Sequence, residues 1–333
     1  METLLLDSDD VAERAQLSKV IDAVEGAFGA YARGDVVMPA KSYVDLPEYN
    51  GDFRSMPAYI DATEGAGENW EGAGVKWVNS HPGNPDGHDL PTVMGTVIYS
   101  DPETAFPRAV MDGTHLTRLR TGAAAAVATK YLAREDATSL GLVGAGIQAY
   151  WQLEAIAEVR DIQRVVVSDV DPGARQELID RYGDDFEITE GSNADAAACD
   201  IVSTTTPVRD PVVDAVGAST HVNAMGADAE GKHEIADDVL LEAKLVIDDY
   251  DQCTHSGEIN VPWSGGVLGD ADLHGELGDV VAGTVEGRTP DDGVTVFDST
   301  GLAIQDVAAA HVVYEHARER GIGTDFPLVG TET

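Results

Sequence analysis

The chain has 333 residues, with 60 Asp or Glu against 21 Lys or Arg, and so a net charge of −39. A polyanion of this size repels phosphate backbones and anionic lipid, which argues against nucleic acid and membrane partners, and no run approaches the ~20 apolar residues of a membrane span. At 43% hydrophobic residues the chain can bury a sizeable core, and its length predicts two domains at roughly 100–200 residues each.

In chain order, the start METLLLDSDD lacks a basic n-region and a long apolar stretch, so no signal peptide is expected. Residues 18–34 carry Val20, Ile21, Val24, Ala27, Phe28 and Tyr31 at helical spacing, with Ser18 as N-cap and Gly34 as C′ residue. Strand-like runs follow at 36–46, 74–80, 92–100 and 107–113, and the polar, acidic segment 61–72 reads as a surface loop. Residues 117–134 read as a close-packed, Ala-rich helix with Thr117 as N-cap. From 138 onward, short apolar runs alternate with helical stretches, the pattern of a parallel doubly wound sheet. A last helix covers 301–321.

The acids are spread through the chain rather than gathered in a tail, and only 6 of the 21 basic residues are Lys. This balance resembles that of salt-in halophiles, whose cations screen self-repulsion. If Lys is removed wherever it is dispensable, Lys41, Lys76 and Lys232 stand out. Cys199 and Cys253 make no disulfide framework, and neither they nor the nine His show metal-ligand spacing, so no metal site is expected. The expected compartment is a reducing cytoplasm.

Gly144-Ala145-Gly146-Ile147-Gln148-Ala149 reads GxGxxA between an apolar strand and a helix. The first Gly permits a tight turn and the second lets backbone approach a pyrophosphate, which then meets a helix N-terminus. Asp169 ends the next strand, 23 residues after Gly146, near the ~20 expected for the acid that binds a ribose 2′-OH. An acid there repels a 2′-phosphate and favours NAD over NADP.

Arg118 and Arg120 fall in the first turn of the 117–134 helix as read here, where cations oppose the dipole. A bound anion would compensate, and so would an ion pair with an acid; for Arg120 the anion is favoured. Asp228 ends the run THVNAMGAD, at the strand ends where ligands bind in open α/β sheets. It is placed either for proton transfer or as a helix N-cap, with Lys232 and Glu234 just beyond. Lys76 sits in an apolar strand and needs either a partner or a purpose. His81, beside Pro82, reads as turn structure.

The segments GDFRSMPAY, GVKWVNSHPGNP, LPTVMG, AVMDG, LRTGAAAA, GLVGAGIQAYWQLEA, HVNAMGADAEGKHEI, HSGEINV and TVFDSTGLAIQDVAAA together resemble the ornithine cyclodeaminase and mu-crystallin family. Within it they are most similar to the archaeal alanine dehydrogenases. The resemblance runs nearly end to end. It implies an α/β protein: a Rossmann domain at 117–301, including the connecting helix 117–134, and a smaller α+β domain at 1–116 and 302–333. The smaller domain's sheet is expected to pair with a second subunit's as a closed barrel in a homodimer.

The resemblance also implies NAD-dependent interconversion of L-alanine with pyruvate and ammonia. Lys41, Arg54, Lys76 and Arg120 would surround the substrate carboxylate, and Asp228, with Lys76 as the other catalytic residue, would handle water and the imine. Thr92, Arg120, Thr121, the turn Gly144, Ala145, Gly146, Ile147 and Gln148, then Asp169, Thr205, Ala227, Lys232 and Ser299 would contact the dinucleotide. Ornithine cyclodeaminases carry Glu two residues before the MP dipeptide; here that position is Arg54, which argues against ornithine. The other readings are ornithine cyclodeaminase, cyclic-imine reductase and, outside the enzymes, a mu-crystallin-like NAD(P)H-binding protein.

Overall fold

The protein is described by a computed structural model over residues 1–14, 17–64 and 69–330. It divides into two compact units, 1–120 with 302–333, and 121–301. The boundary lies at Arg120/Thr121, inside a helix, four residues past the 116/117 junction expected from sequence.

The chain begins with β1 (Thr3–Leu6), α1 (Ser8–Arg14), α2 (Leu17–Arg33), β2 (Val36–Val37), β3 (Ser42–Leu46), β4 (Gly51–Asp61), β5 (Glu71–Ser80), α3 (Asn84–His88), β6 (Val93–Ser100), β7 (Pro107–Asp112) and α4 (Gly113–Leu132). It continues with β8 (Ser139–Val143), α5 (Ile147–Val159), β9 (Arg164–Ser168), α6 (Pro172–Tyr182), β10 (Glu187–Glu190), α7 (Asn193–Ala197), β11 (Ile201–Thr204) and β12 (His221–Ala224). Then come α8 (Asp237–Glu242), β13 (Lys244–Ile247), α9 (Tyr250–Ser256), α10 (Asn260–Ser264), β14 (Leu273–Glu276), α11 (Leu277–Ala282), β15 (Thr295–Asp298), α12 (Ala303–Arg320) and β16 (Thr324–Phe326).

In the first unit the sheet order is β16-β1-β7-β6-β5-β4-β2, with β3 also on β4. Only β1 and β7 run parallel in it. Period-2 alternation points Met56, Ala58, Ile60, Val78, Val97, Tyr99 and Met111 to one face, where all are buried. Helix α12 covers that face, and Gly74 makes room for it: a Cβ there would lie 2.9 Å from Ile98 O and 3.3 Å from Val307 Cγ2. The other face leaves Val44, Trp77 and Ile98 exposed, with Phe53 stacked on Trp77 at 5.1 Å. Within one chain this sheet is open.

The second unit holds an all-parallel sheet, β10-β9-β8-β11-β12-β15-β13-β14. Successive strands step one way from β8 to β10, then start again on its other side at β11, which makes the β8/β11 border a topological switch point. The strand interiors are fully buried apolar runs, as both faces of a parallel sheet demand.

Several expectations change. Helix α4 starts at Gly113, because Asp112 accepts from Thr114 N and His115 N and so caps it. Thr117 is therefore interior, its hydroxyl bonded to Gly113 O. Arg118 and Arg120 lie beyond the first turn, and the dipole argument for a bound anion falls away. Ser18 lies inside α2 rather than capping it, whereas Gly34 ends the helix at φ 82°. Part of the 61–72 segment is strand: Asp61 closes β4, and Glu71 and Gly72 open β5. Residues 65–68 of that segment are outside the described residues. Among the described residues no helix is long and apolar enough to cross a membrane, and no cluster could hold a metal ion.

Candidate active site

Strand β5 points Lys76 to the covered face, between Met56 of β4 and Val97 of β6. Only 1% of its side chain is exposed. Its Nζ donates to Asp306 Oδ1 of α12 at 2.8 Å, and the same oxygen accepts from Arg120 Nε of α4 at 3.1 Å. Gln305 Oε1 takes Arg120 Nη1 at 2.8 Å. Burial, with help from Arg120 and Lys41, pushes the Lys76 ammonium down to about 7, while Asp306 opposes the shift. Two cations thus share one carboxylate away from water, and Lys76 has donors left for a second. The cluster can bind a small carboxylate. Gln305 Nε2 and Asp306 Oδ2 are buried without a hydrogen-bond partner.

Lys41 lies between β2 and β3, close enough to bear on Lys76. Arg54 shares the covered face, two residues from Met56. It is engaged by Asp52, through Nε at 3.2 Å and Nη2 at 3.0 Å, and lies over the Tyr43 ring at 5.6 Å. Arg118 stands apart from this cluster, its Nη1 3.4 Å from His115 Nε2. His81 is turn structure: its N donates to Thr92 O and its Nδ1 meets Asn79 Nδ2.

In the second unit the glycine turn follows β8 at the switch point. Gly144 has φ 101°, a backbone that L side chains rarely adopt, and a Cβ there would lie 2.9 Å from Thr205 Oγ1. Gly146 caps α5 in extended conformation, and a Cβ on it would meet open space. Ala145 N donates to Asp169 Oδ2 at 2.6 Å, which ties the turn to the end of β9. Gln148 Oε1 and Thr205 Oγ1 are buried without partners. Open space over Gly146, a helix N-terminus and a carboxylate at the next strand end together fit a dinucleotide pyrophosphate and ribose. Ile147 is half exposed beside them.

Asp228 lies four residues past β12 and caps no helix, since the next helix begins at Asp237; the N-cap reading is overturned. It is 38% exposed and pairs with Lys232 Nζ at 2.5 Å. Ala227 before it is buried. Glu234 holds this loop in place. Its carboxylate accepts from Thr204 and Thr206 hydroxyls, Thr206 N and Gly226 N, and so joins the ends of β11 and β12. Ser299 at the end of β15 donates to the buried Asp248 at 3.0 Å. Thr121, where the second unit begins, takes Gln152 Nε2 on its carbonyl at 3.4 Å.

The structure thus brings together Lys41, Lys76 and Arg120 in one unit. In the other it joins the glycine turn to Asp169 and Thr205, and Asp228 to Lys232. Sequence reasoning passes over Asp306, and it notes Glu234 only as a neighbour of Asp228 without its role in holding the loop. The signal for Asp306 is an acid inside the otherwise apolar run AIQDVAAA, where a charge needs a partner.

An all-parallel sheet with a glycine turn at its switch point defines a Rossmann-type α/β protein. The profile of the ornithine cyclodeaminase/mu-crystallin family matches residues 1–321, and the chain belongs to that family. An alanine dehydrogenase of Archaeoglobus fulgidus is 47% identical over 328 residues, covering 97% of this chain and 98% of that protein. The solved archaeal alanine dehydrogenase dimer with bound NAD superposes at TM-score 0.92 and 46% identity, covering 99% of this chain and 100% of that one. The Thermococcus litoralis Delta(1)-pyrroline-2-carboxylate reductase, in complex with NADH and L-proline, superposes at 0.90 with 35% identity, covering 97% and 99%.

Proposed function

We propose that this protein is an NAD-dependent amino acid dehydrogenase that interconverts L-alanine and water with pyruvate and ammonium. The observation that carries this reading is Lys76, sealed from water and paired with Arg120 through one carboxylate, which fits a small carboxylate substrate. The NAD-bound archaeal alanine dehydrogenase, similar over the whole chain, supports it. Lys76, Arg120, Lys41 and Arg54 bind and orient that carboxylate, which is how a bimolecular reaction becomes effectively unimolecular. NAD, when bound, accepts the hydride that leaves Cα. Asp228 takes a proton from the water that adds to the resulting imine carbon and returns one as ammonia leaves. Gly144 to Gln148, with Thr205, Ala227, Lys232 and Ser299, hold the dinucleotide alongside Thr92 and Thr121. Asp169 accepts the ribose hydroxyl and disfavours a 2′-phosphate.

The apolar face of Val44, Phe53, Trp77 and Ile98 is assigned to a second copy of the chain, whose sheet closes the barrel. The charge balance is assigned to a high-salt cytoplasm.

The test is NAD reduction followed across amino acids in molar KCl, with NADP and ornithine as comparators. L-Alanine with NAD is expected to give the highest kcat/KM. Proline release from ornithine at a comparable rate overturns the substrate, and equal efficiency with NADP removes Asp169 as the ribose ligand.

A further inference from the structure

We infer that Asp306 is a positioning residue that keeps Lys76 protonated and aimed for the incoming carboxylate, so that its charge sets the pH range over which the site binds anions. The inference rests on the dehydrogenase reading only in the choice of probe.

The geometry carries it. Asp306 is 1% exposed, within an apolar stretch of α12, and an ionised carboxylate there persists only if paired. One of its oxygens receives both Lys76 Nζ and Arg120 Nε. The charged groups acting on Lys76 come from three elements: Asp306 on α12, Arg120 on α4 and Lys41 before β3. The flanking strands present Met56 and Val97, which are apolar. With Lys76 itself that makes three cations and one anion. Gln305 fixes the other end of the Arg120 guanidinium, so the fork stays turned toward Asp306. Asp306 therefore supplies the counter-charge until a ligand carboxylate supplies a second.

The sign follows. Anion binding needs the ammonium form of Lys76. Burial and two neighbouring cations favour the neutral amine, which brings the group to about 7, and Asp306 works against them. Affinity for a carboxylate is present below that pH and declines above it, and binding above it draws a proton back onto Lys76. Without the Asp306 charge, the decline begins at lower pH. An opposite charge at this range moves a titration by about 1–3 units.

The test is pyruvate binding to the NADH-loaded protein, read by NADH fluorescence from pH 4.5 to 9 in molar KCl, for wild type, Asp306→Asn and Asp306→Glu. Asn keeps the size and an acceptor oxygen while removing the charge; Glu keeps the charge. The midpoint of the affinity loss is expected to fall by about one unit or more in Asp306→Asn and to return toward wild type in Asp306→Glu. A merely structural role weakens binding without moving the midpoint, and an unmoved midpoint overturns the inference. Should Asp306→Asn fail to fold, wild-type calorimetry at pH 8 in two buffers of different ionisation heat decides. Proton uptake on pyruvate binding is expected, and none overturns the inference. Alanine turnover is read separately. Turnover with pH-insensitive pyruvate affinity sinks the inference and spares the reading; a shifted midpoint without turnover does the reverse. Absence of both turnover and pyruvate binding overturns both.

Discussion

In the first unit, negative charge is met by side chains sealed from water: Lys76 and Arg120 share Asp306, and none of the three is more than 8% exposed. In the second unit it is met by backbone, at a glycine turn and a helix N-terminus, with the acid–base candidate Asp228 left 38% exposed beside Lys232. Buried ions interact strongly but depend on every partner staying charged. Backbone N–H groups carry no titration and depend instead on φ and ψ. A dry, charge-dependent site suits rigid orientation of a small substrate. A backbone site suits a large cofactor held at many points, and an acid that exchanges protons with water gains from exposure.

The contrast can be broken first at Asp228. General acid–base catalysis contributes about 10²–10⁴-fold, so Asp228→Asn is expected to cut kcat for alanine oxidation by that factor. NADH affinity, read by fluorescence, is expected to change little. A variant keeping a third of wild-type kcat would leave the exposed acid without a role in the chemistry.

Gly144→Ala sharpens the comparison from the backbone side. The residue is forced to hold φ near 101° with its Cβ 2.9 Å from Thr205 Oγ1. Strain of about 1–3 kcal/mol weakens NADH by roughly 5- to 150-fold, while pyruvate affinity of the NADH-saturated enzyme stays near wild type. Equal losses for both ligands would mean that the two sites are not built on separate principles.

Salt gives the smallest effect. Between 0.1 M and 1 M the screening length falls from ~10 Å to ~3 Å, which relieves surface repulsion but hardly reaches a buried cluster. Thermal unfolding is expected to move upward by a few degrees between 0.1 M and 2 M KCl, because the charge of −39 is spread over the surface. A midpoint unchanged or lowered contradicts the high-salt assignment.

The two regions also differed in how plainly the sequence announced them. Helix α5 follows the glycine turn directly, as expected, and β8, β9, β11, β12, β13 and β15 are short, largely buried strands of the alternating pattern expected from 138 onward. Parallel strands buried on both faces leave that signature. The edge strands β10 (EITE) and β14 (LHGE) have no such burial and no such pattern. Strand β4 is hidden by Pro57, which argues against a central strand. It is tolerated because β3 pairs with residues 51–55 and β2 with residues 59–60, leaving Pro57 in the gap. Lys76 was conspicuous as a charge in an apolar strand. Its partner Asp306 lies 230 positions away in sequence, a pairing that no local pattern reveals.

The return of α12 to the first sheet fixes when the buried ion cluster is assembled. A ribosome delivers the chain from the N-terminus at about 5–20 residues per second. Strands β1 to β7 emerge early with Lys76 in place but with their apolar face bare, and Arg120 follows without a counter-ion. The whole second unit is made before Gln305 and Asp306 appear. The glycine turn is complete while the carboxylate cluster is still missing the residues that join it. The nascent protein therefore has its glycine turn well before the cluster of Lys76, Arg120 and Asp306, which closes only when the last helix has docked on the first sheet.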